Sequence, residues 1–445
     1  MSILIGNGRM ITRDKENPFL EDGCLYIEEG LIRQVGDTAR LRSRYPQARF
    51  VDAGGGVIMP GLINTHNHIY SAFARGLSIR GYNPKSFNDI LEGQWWKLDR
   101  LLTLEDDRYS AYATYLNCIR CGVTTVFDHH ASYGQISGSL FEIAKVAREL
   151  GVRTCLCYEV SDRDGAAKME EAVQENRAFI QACAAEGTDM QYGMMGLHAS
   201  FTLSDATLNY CARHRGEAGY HIHVAEGLSD VQDSLAKYGK RVINRLYDLD
   251  ILGPRTIAVH CVHINKEEMG LLRDTGTMVV HNPESNMGNA IGCEPMLQIF
   301  GEGILLGLGT DGYTNDMLES YKVANILHKH NLGDPTVAWN EVPVMLFENN
   351  AKIANRYFQK PLGVLKEGAA GDVIVCEYDP LTPMDASNAN GHILFGMNGL
   401  SVTAAVIDGR VLMENRVILG VDEKEIMKES RKAAAALWRR INGGC

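Results

Sequence analysis

Between residues 57 and 365, short apolar segments that end in polar residues alternate with longer helical ones, and this alternation restricts what the chain can fold into. The short segments are "GVIMPGLINTHNH", "GVTTVFDHH", "VRTCLCYEV", "MQYGMMGLHAS", "GYHIHVAE", "TIAVHCVH", "TMVVHNPES" and "GILLGLGTD". Stretches such as "SLFEIAKVAREL", "KMEEAVQENRAFIQACAAE" and "GKRVINRLYDLDIL" separate them. Alternating β and α units of this length predict a parallel sheet with helices packed outside it. The eight strands counted here suffice to close a (β/α)8 TIM barrel, which carries its function at the C-terminal ends of the strands. The polar residues lie at those ends.

The flanks read differently. Residues 1–56 and the stretch from 366 onward are rich in β-branched residues and Gly punctuation, as in "SILIGNGRMIT", "CLYIEEGLIRQVG" and "VTAAVIDGRVLMENRVI", which favours strands. Each flank alone is too small to bury a good core. The expectation is an α/β protein in which both chain ends join in one small β-sandwich domain, 1–56 with 366–445, around a barrel over 57–365. A helix of good helix formers, "DEKEIMKESRKAAAALWRRIN", closes the chain.

Composition removes several function classes. A net charge of −11 argues against nucleic acid or an anionic membrane as the main partner. No apolar run reaches the roughly 18 residues that a membrane span needs, and the start "MSILIGNGRM" lacks the pattern of a secretory signal. Eleven cysteines without CxxC pairs read as reduced core thiols. A cytoplasmic globular enzyme is expected.

The chemistry lies at the strand ends. In "LINTHNH", His66 and His68 are two residues apart, so in a strand both imidazoles project to one face, with Cα atoms roughly 6–7 Å apart. "HIHVAE" supplies His221, His223 and Glu226, "AVHCVH" supplies His260 and His263, "VVHNP" supplies His281 and "LGLGTDG" supplies Asp311. Three neutral imidazoles and one carboxylate suit a borderline divalent metal such as zinc, and such an ion lowers the pKa of its water towards neutrality. Glu226, just outside the ligand set, is placed to move protons between water and a leaving nitrogen.

Taken in order, "PGLINTHNH", "HVAE", "AVHCVH", "VHNPESNM" and "GLGTDG" resemble the amidohydrolase superfamily, in its triazine hydrolase, guanine deaminase and adenosylhomocysteine deaminase branch. "DHHAS", "WWKLDR", "HILFGM" and "RKAAAALWRR" further resemble the SsnA group of aminohydrolases. The resemblance covers nearly the whole chain. It implies metal ligands His66, His68, His223 and Asp311, Glu226 as proton shuttle, and His260 as the residue that polarises the nucleophile and stabilises the tetrahedral intermediate. Asp311 doubles as proton acceptor. His198 matches a substrate contact, and Phe201 stands where the family often has Tyr. The fourth strand has no lysine to bridge two metals, so one divalent ion per chain is expected: zinc, with iron(II) or manganese(II) suiting the same set. A homodimer is implied by resemblance alone.

The expected reaction is deamination of a purine, pterin or triazine type of ring. Hydrolytic opening of a cyclic amide, as in the imidazolonepropionase relatives, uses the same machinery. A noncatalytic scaffolding barrel would have lost ligands or the acid, which this chain keeps. Further candidates each carry a plainer reading. His281 and His130 are substrate contacts or structural hydrogen-bonding groups, and strand alternation lets only one of His129 and His130 face the barrel. Trp95 or Trp96 roofs the pocket or packs in the core. His221 reads as packing behind the ligands, His263 as a loop residue, Arg75 as a surface cation or a guanidinium offered to a ring carbonyl, and Cys261 as a small buried apolar group.

Overall fold

The computed structural model describes residues 2–443. Eight parallel strands follow in chain order: Leu62–Asn67, Val123–His130, Arg153–Tyr158, a fourth in two pieces (Gln191–Gly193 and Met195–Ala199), Tyr220–Val224, Ile257–His260, Met278–His281 and Leu306–Leu308. The first three and the first piece of the fourth form a four-stranded sheet; the second piece and the remaining strands form a five-stranded one. Parallel bridges Val160–Leu197 and Asn67–Asp311 link the two sheets. Helices including Ser139–Leu150, Ala166–Glu186, Asp205–His214, Lys266–Thr275 and Met317–Leu332 alternate with the strands. The arrangement is α/β and of the TIM-barrel type that the alternation predicts.

The phase of each strand decides which side chains face inward. Phe127, Cys155, Cys157, Met194, Ile257, Val259, Met278 and Val280 share one apolar cluster between the strands. Their neighbours Val126, Leu156, Met195, Ile222, Ala258 and Val279 join the larger cluster that includes the surrounding helices. Because side chains alternate along a strand, His129 and Glu159 continue the inward phase of the second and third strands, while His130 and His281 continue the outward one.

The chain ends meet as expected. Ile3–Ile11, Phe19–Glu28, Leu31–Gly36, Arg49–Asp52 and Val57–Pro60 join Val373–Cys376, Val402–Ile407, Arg410–Glu414 and Val417–Ile418 in one nine-stranded sheet. The single opening strand anticipated over 56–68 is in fact two. Val57–Pro60 pairs antiparallel with Val373–Cys376, whereas Leu62–Asn67 pairs parallel with Val123–His130. The switch occurs at Gly61, where a Cβ would stand 2.2 Å from Thr124 Cγ2; only glycine permits that approach. The terminal helix Glu423–Ile441 lies on the strand-and-helix body: Leu437 and Ile441 bury beside Phe73, Leu98 and Leu102, and Trp438 Nε1 donates to Phe73 O at 2.7 Å. No described helix is long and apolar enough to cross a membrane.

Candidate active site

The strand ends open into a cleft. His68, His223, His260, Glu226 and Asp311 line its floor, Glu159 and His198 one wall, and Phe87, Leu91, Trp95 and Trp96 the roof. His66 lies fully buried beneath.

The imidazoles are held so that one nitrogen of each is free. His68 Nδ1 contacts His129 O at 2.6 Å, His223 Nδ1 contacts His198 O at 2.9 Å, and His260 Nδ1 contacts Asn286 Oδ1 at 2.8 Å. Each partner oxygen is an acceptor, so Nδ1 carries the proton and Nε2 presents a lone pair. His66 Nδ1 is occupied by His221 Nε2 at 2.9 Å, which gives His221 the supporting role read from its position. The Nε2 atoms of His66 and His260 are buried without a hydrogen-bond partner. Such orphaned atoms are costly in a native interior unless something binds them. Ligand atoms of His66, His68 and Asp311 lie within 4.8 Å of one another, as do those of His66, His223 and His260. His68 Nε2 is 3.3 Å from Asp311 Oδ1 and 3.3 Å from His223 Nε2. This donor set, nitrogen-rich with one carboxylate, fits a divalent transition metal.

The backbone bends to aim these groups. Ala225, His260, Cys261 and Asp311 all adopt positive φ, at 46°, 71°, 49° and 54°, a conformation costly for non-glycine residues and concentrated at functional sites. Asp311 is clamped by Ser285 Oγ at 2.6 Å and by the Gly312 N–H at 2.6 Å. Burial raises the Asp311 carboxyl, but His68, His260 and these donors hold it below the usual carboxylate range. Glu226 goes the other way: burial first, then Asp311, pushes it well above the usual value. The two neighbouring carboxyls are thus pushed apart in proton affinity, a division that suits acid–base work. Burial also lowers His66 and His223 well below the ordinary histidine value and His260 to about 4, which keeps them neutral.

Two expected substrate contacts lie outside the cleft. His130 turns outward, 2.9 Å from Ser132 Oγ and 3.5 Å from Asp107 Oδ1. His281 also turns outward, pairing with Glu294 and lying 3.1 Å from His328 Nε2. Strand phase is the reason in both cases. His129 is the inward member of its pair, its ring centroid 4.5 Å from that of His223. Trp95 and Trp96 both line the cleft. His263 is a loop residue whose Nε2 contacts Ile291 O at 2.8 Å. Sequence reasoning missed Glu159, Ser285 and Asn286. For Glu159 a signal existed: "CLCYE" has the same two-residue phase that singled out His66 and His68. For Ser285 and Asn286, on the short helix Pro283–Gly288, only the fold reveals the partners.

A model of the amidohydrolase family matches residues 57–412, and one of the bacterial imidazolonepropionase-like composite domain matches residues 23–48. The chain is 30% identical to a 5'-deoxyadenosine deaminase of Methanosarcina mazei, over 99% of each protein. It is also 30% identical to a 5-methylthioadenosine/S-adenosylhomocysteine deaminase of Syntrophomonas wolfei, covering 98% of this chain and 99% of that one. A zinc-bound adenosine deaminase structure from Xanthomonas campestris superposes with a TM-score of 0.84 at 23% identity, over 98% of each chain.

Proposed function

Because the chain belongs to the amidohydrolase family, we propose that this hydrolase of C–N bonds deaminates a nitrogen heterocycle of the purine, pterin or triazine type. The observation that carries the reading is the convergence of bare imidazole nitrogens with the Asp311 and Glu226 carboxyls in one cleft. His66, His68, His223 and Asp311 would hold one divalent ion, zinc or else iron(II) or manganese(II), which supplies Lewis acidity and a water of lowered pKa.

The chain's own groups carry the protons. Glu226 gives its proton to the ring nitrogen beside the amino-bearing carbon as water adds there, and Asp311 takes a proton from that water. His260 Nε2, 3.5 Å from both Glu226 Oε2 and Asp311 Oδ2, presents a lone pair that polarises the water by accepting a hydrogen bond from it. Collapse breaks the C–N bond. The amine leaves as ammonia with the proton from Asp311, and the remaining hydroxyl proton returns to Glu226, which leaves a ring carbonyl. Trp95 and Trp96 cover the ring, and His198 contacts its edge.

Several broader features belong to the same reading. The two sheets are halves of one closed (β/α)8 barrel, supported by the bridges at both junctions. The nine-stranded sheet curls into a sandwich, supported by the apolar cluster shared between residues near Ile3, Leu25, Val373 and Val406. The division into 1–56, 57–365 and 366–445 follows the change of pattern along the chain, with Val57–Pro60 on the small domain's side of the first boundary; a cytoplasmic location follows from composition and a homodimer from the family resemblance, and light scattering tests the dimer.

The test is metal content on purified protein, then ammonia release from purines, pterins and triazines. Glu226→Gln should keep its metal and lose roughly 10²- to 10⁴-fold in turnover. Acid release from a cyclic amide without ammonia would replace deamination by ring opening, and absence of metal would end the hydrolase reading.

A further inference from the structure

Away from the cleft, one buried cation lacks a counter-charge. Arg13 stands two residues beyond the strand Ile3–Ile11, at φ 60°, a conformation costly for a residue with a side chain. Its guanidinium lies over the Phe347 ring, 3.7 Å from the centroid, and Nη1 donates to Asn390 Oδ1 at 2.7 Å. Nε and Nη2 are buried, and among the described residues no acceptor reaches either. Glu348, whose charge acts on Arg13 from a distance, is half exposed and stands 3.6 Å from Lys352. Burial accordingly lowers the guanidinium from its ordinary value to about 10.

Geometry says what completes such a group. Nε–H and Nη2–H lie on one edge of a rigid plane and point the same way. That edge receives an anion, either the two oxygens of a carboxylate side by side or one halide between the hydrogens. Arg13 lines a small cavity whose other walls include Pro60, Leu62, Ile63, Leu346 and Phe347 and carry no charged side chain. A water there would satisfy an N–H but leave the charge, whereas buried charges are ordinarily paired. Leu62 and Ile63 begin the first barrel strand, at the opposite end from His66, and the cavity shares no residue with the cleft.

We propose that Arg13 and this cavity bind one small monovalent anion, of carboxylate or halide type, that ties the two chain ends to the barrel. Three segments meet at the guanidinium: Arg13 from the N-terminal flank, Asn390 from the C-terminal flank, and Phe347 from the chain after the last barrel strand. Asn350, three residues on from Phe347, donates to Ile63 O and Leu308 O, each at 2.8 Å, and so braces the first barrel strand against the last. An anion on the free edge neutralises Arg13 where these segments join.

The test follows the thermal midpoint of the full chain as sodium acetate, sodium chloride or neutral acetamide is added. Arg13→Gln, which removes the charge and keeps a polar side chain, is measured beside the wild type. Acetate or chloride should raise the wild-type midpoint by about 2–4 °C more than that of the variant, and acetamide should shift both alike. Whichever anion acts at the lower concentration gives the type of the occupant. Equal shifts in the two proteins with every solute would overturn the proposal. If Arg13→Gln fails to fold, wild-type crystals soaked in sodium bromide decide. An anomalous peak bonded to Nε and Nη2 supports the site, and a cavity that is bare or holds water overturns it. A bromide peak without a midpoint difference between folded wild type and variant means an adventitious ion only, and overturns it as well.

Discussion

At the residue scale, Asn286 and His130 show how one bond separates a functional from a supporting role. Asn286 Oδ1 accepts from His260 Nδ1 at 2.8 Å and so fixes which nitrogen faces Glu226 and Asp311. Partners of this kind orient reactive imidazoles, and losing them commonly costs 10- to 100-fold. Asn286→Ala should lower kcat by about that factor with metal content unchanged; an unaltered kcat would remove Asn286 from the mechanism. His130, fully buried against Ser132 and Asp107, belongs to the fold. His130→Phe should cost about 1–3 kcal/mol in urea unfolding and leave KM within twofold. A large rise in KM would restore the substrate contact that its place beside His129 suggested.

At the scale of elements, the terminal helix and the segment Ile69–Ala74 act together. That segment follows the ligand His68 directly, and Trp438 ties it down through Phe73 O. Arg440 reaches Asp106, whose side chain also closes the capping box of the helix Leu104–Arg120. Leu437 is fully buried at this junction. Leu437→Ala should destabilise by about 2–5 kcal/mol, measured by denaturant midpoint, and should weaken metal retention because the turn after His68 loses its support. Destabilisation without any change in metal affinity would show that the helix only closes the core.

For the whole molecule, buried imidazoles couple stability to pH. Burial lowers both His198 and His260 to about 4, against roughly 6.5 in an unfolded chain. On acidification the unfolded state takes up protons first, so it gains relative to the folded one. Buried carboxyls raised to about 7, Asp99, Asp230 and Glu284, act in the opposite sense over the same window, so the imidazole contribution, full above about pH 6.5 and lost by about pH 4, is read as the difference between the metal-free wild type and His198→Gln. Urea midpoints of both proteins at several pH values check this: the wild type should lose ground to the variant on acidification, and a gain would contradict it. A bound divalent ion opposes the trend, since it binds neutral imidazoles in the folded state alone.

Much of this was legible in the residues themselves. Strand period and polar strand ends predict eight parallel strands with polar residues gathered at one end, and the structure has the strands and brings His68, His223, His260 and Asp311 together there. The two-residue spacing of His66 with His68, and of His221 with His223, suffices to place each pair on one face, because side chains alternate strictly along a strand. The same rule allows only one of His129 and His130 to face inward. It does not say which, since "VFDHH" is apolar on neither phase at its end; that choice required knowing that Phe127 points into the inner cluster.

What only the tertiary structure decided is everything that depends on distance between segments remote in sequence. One apolar run is divided between two sheets at Gly61, where Thr124 lies 2.2 Å from where a Cβ would be. Tautomers follow from carbonyls and amides contributed by other strands, as His129 O and His198 O do for His68 and His223. Glu159 and His198, 39 positions apart, come to stand 3.9 Å from one another. Local period is a property of covalent geometry and survives in the sequence; hydrogen-bond partnership is a property of contact and exists only once the strands stand side by side.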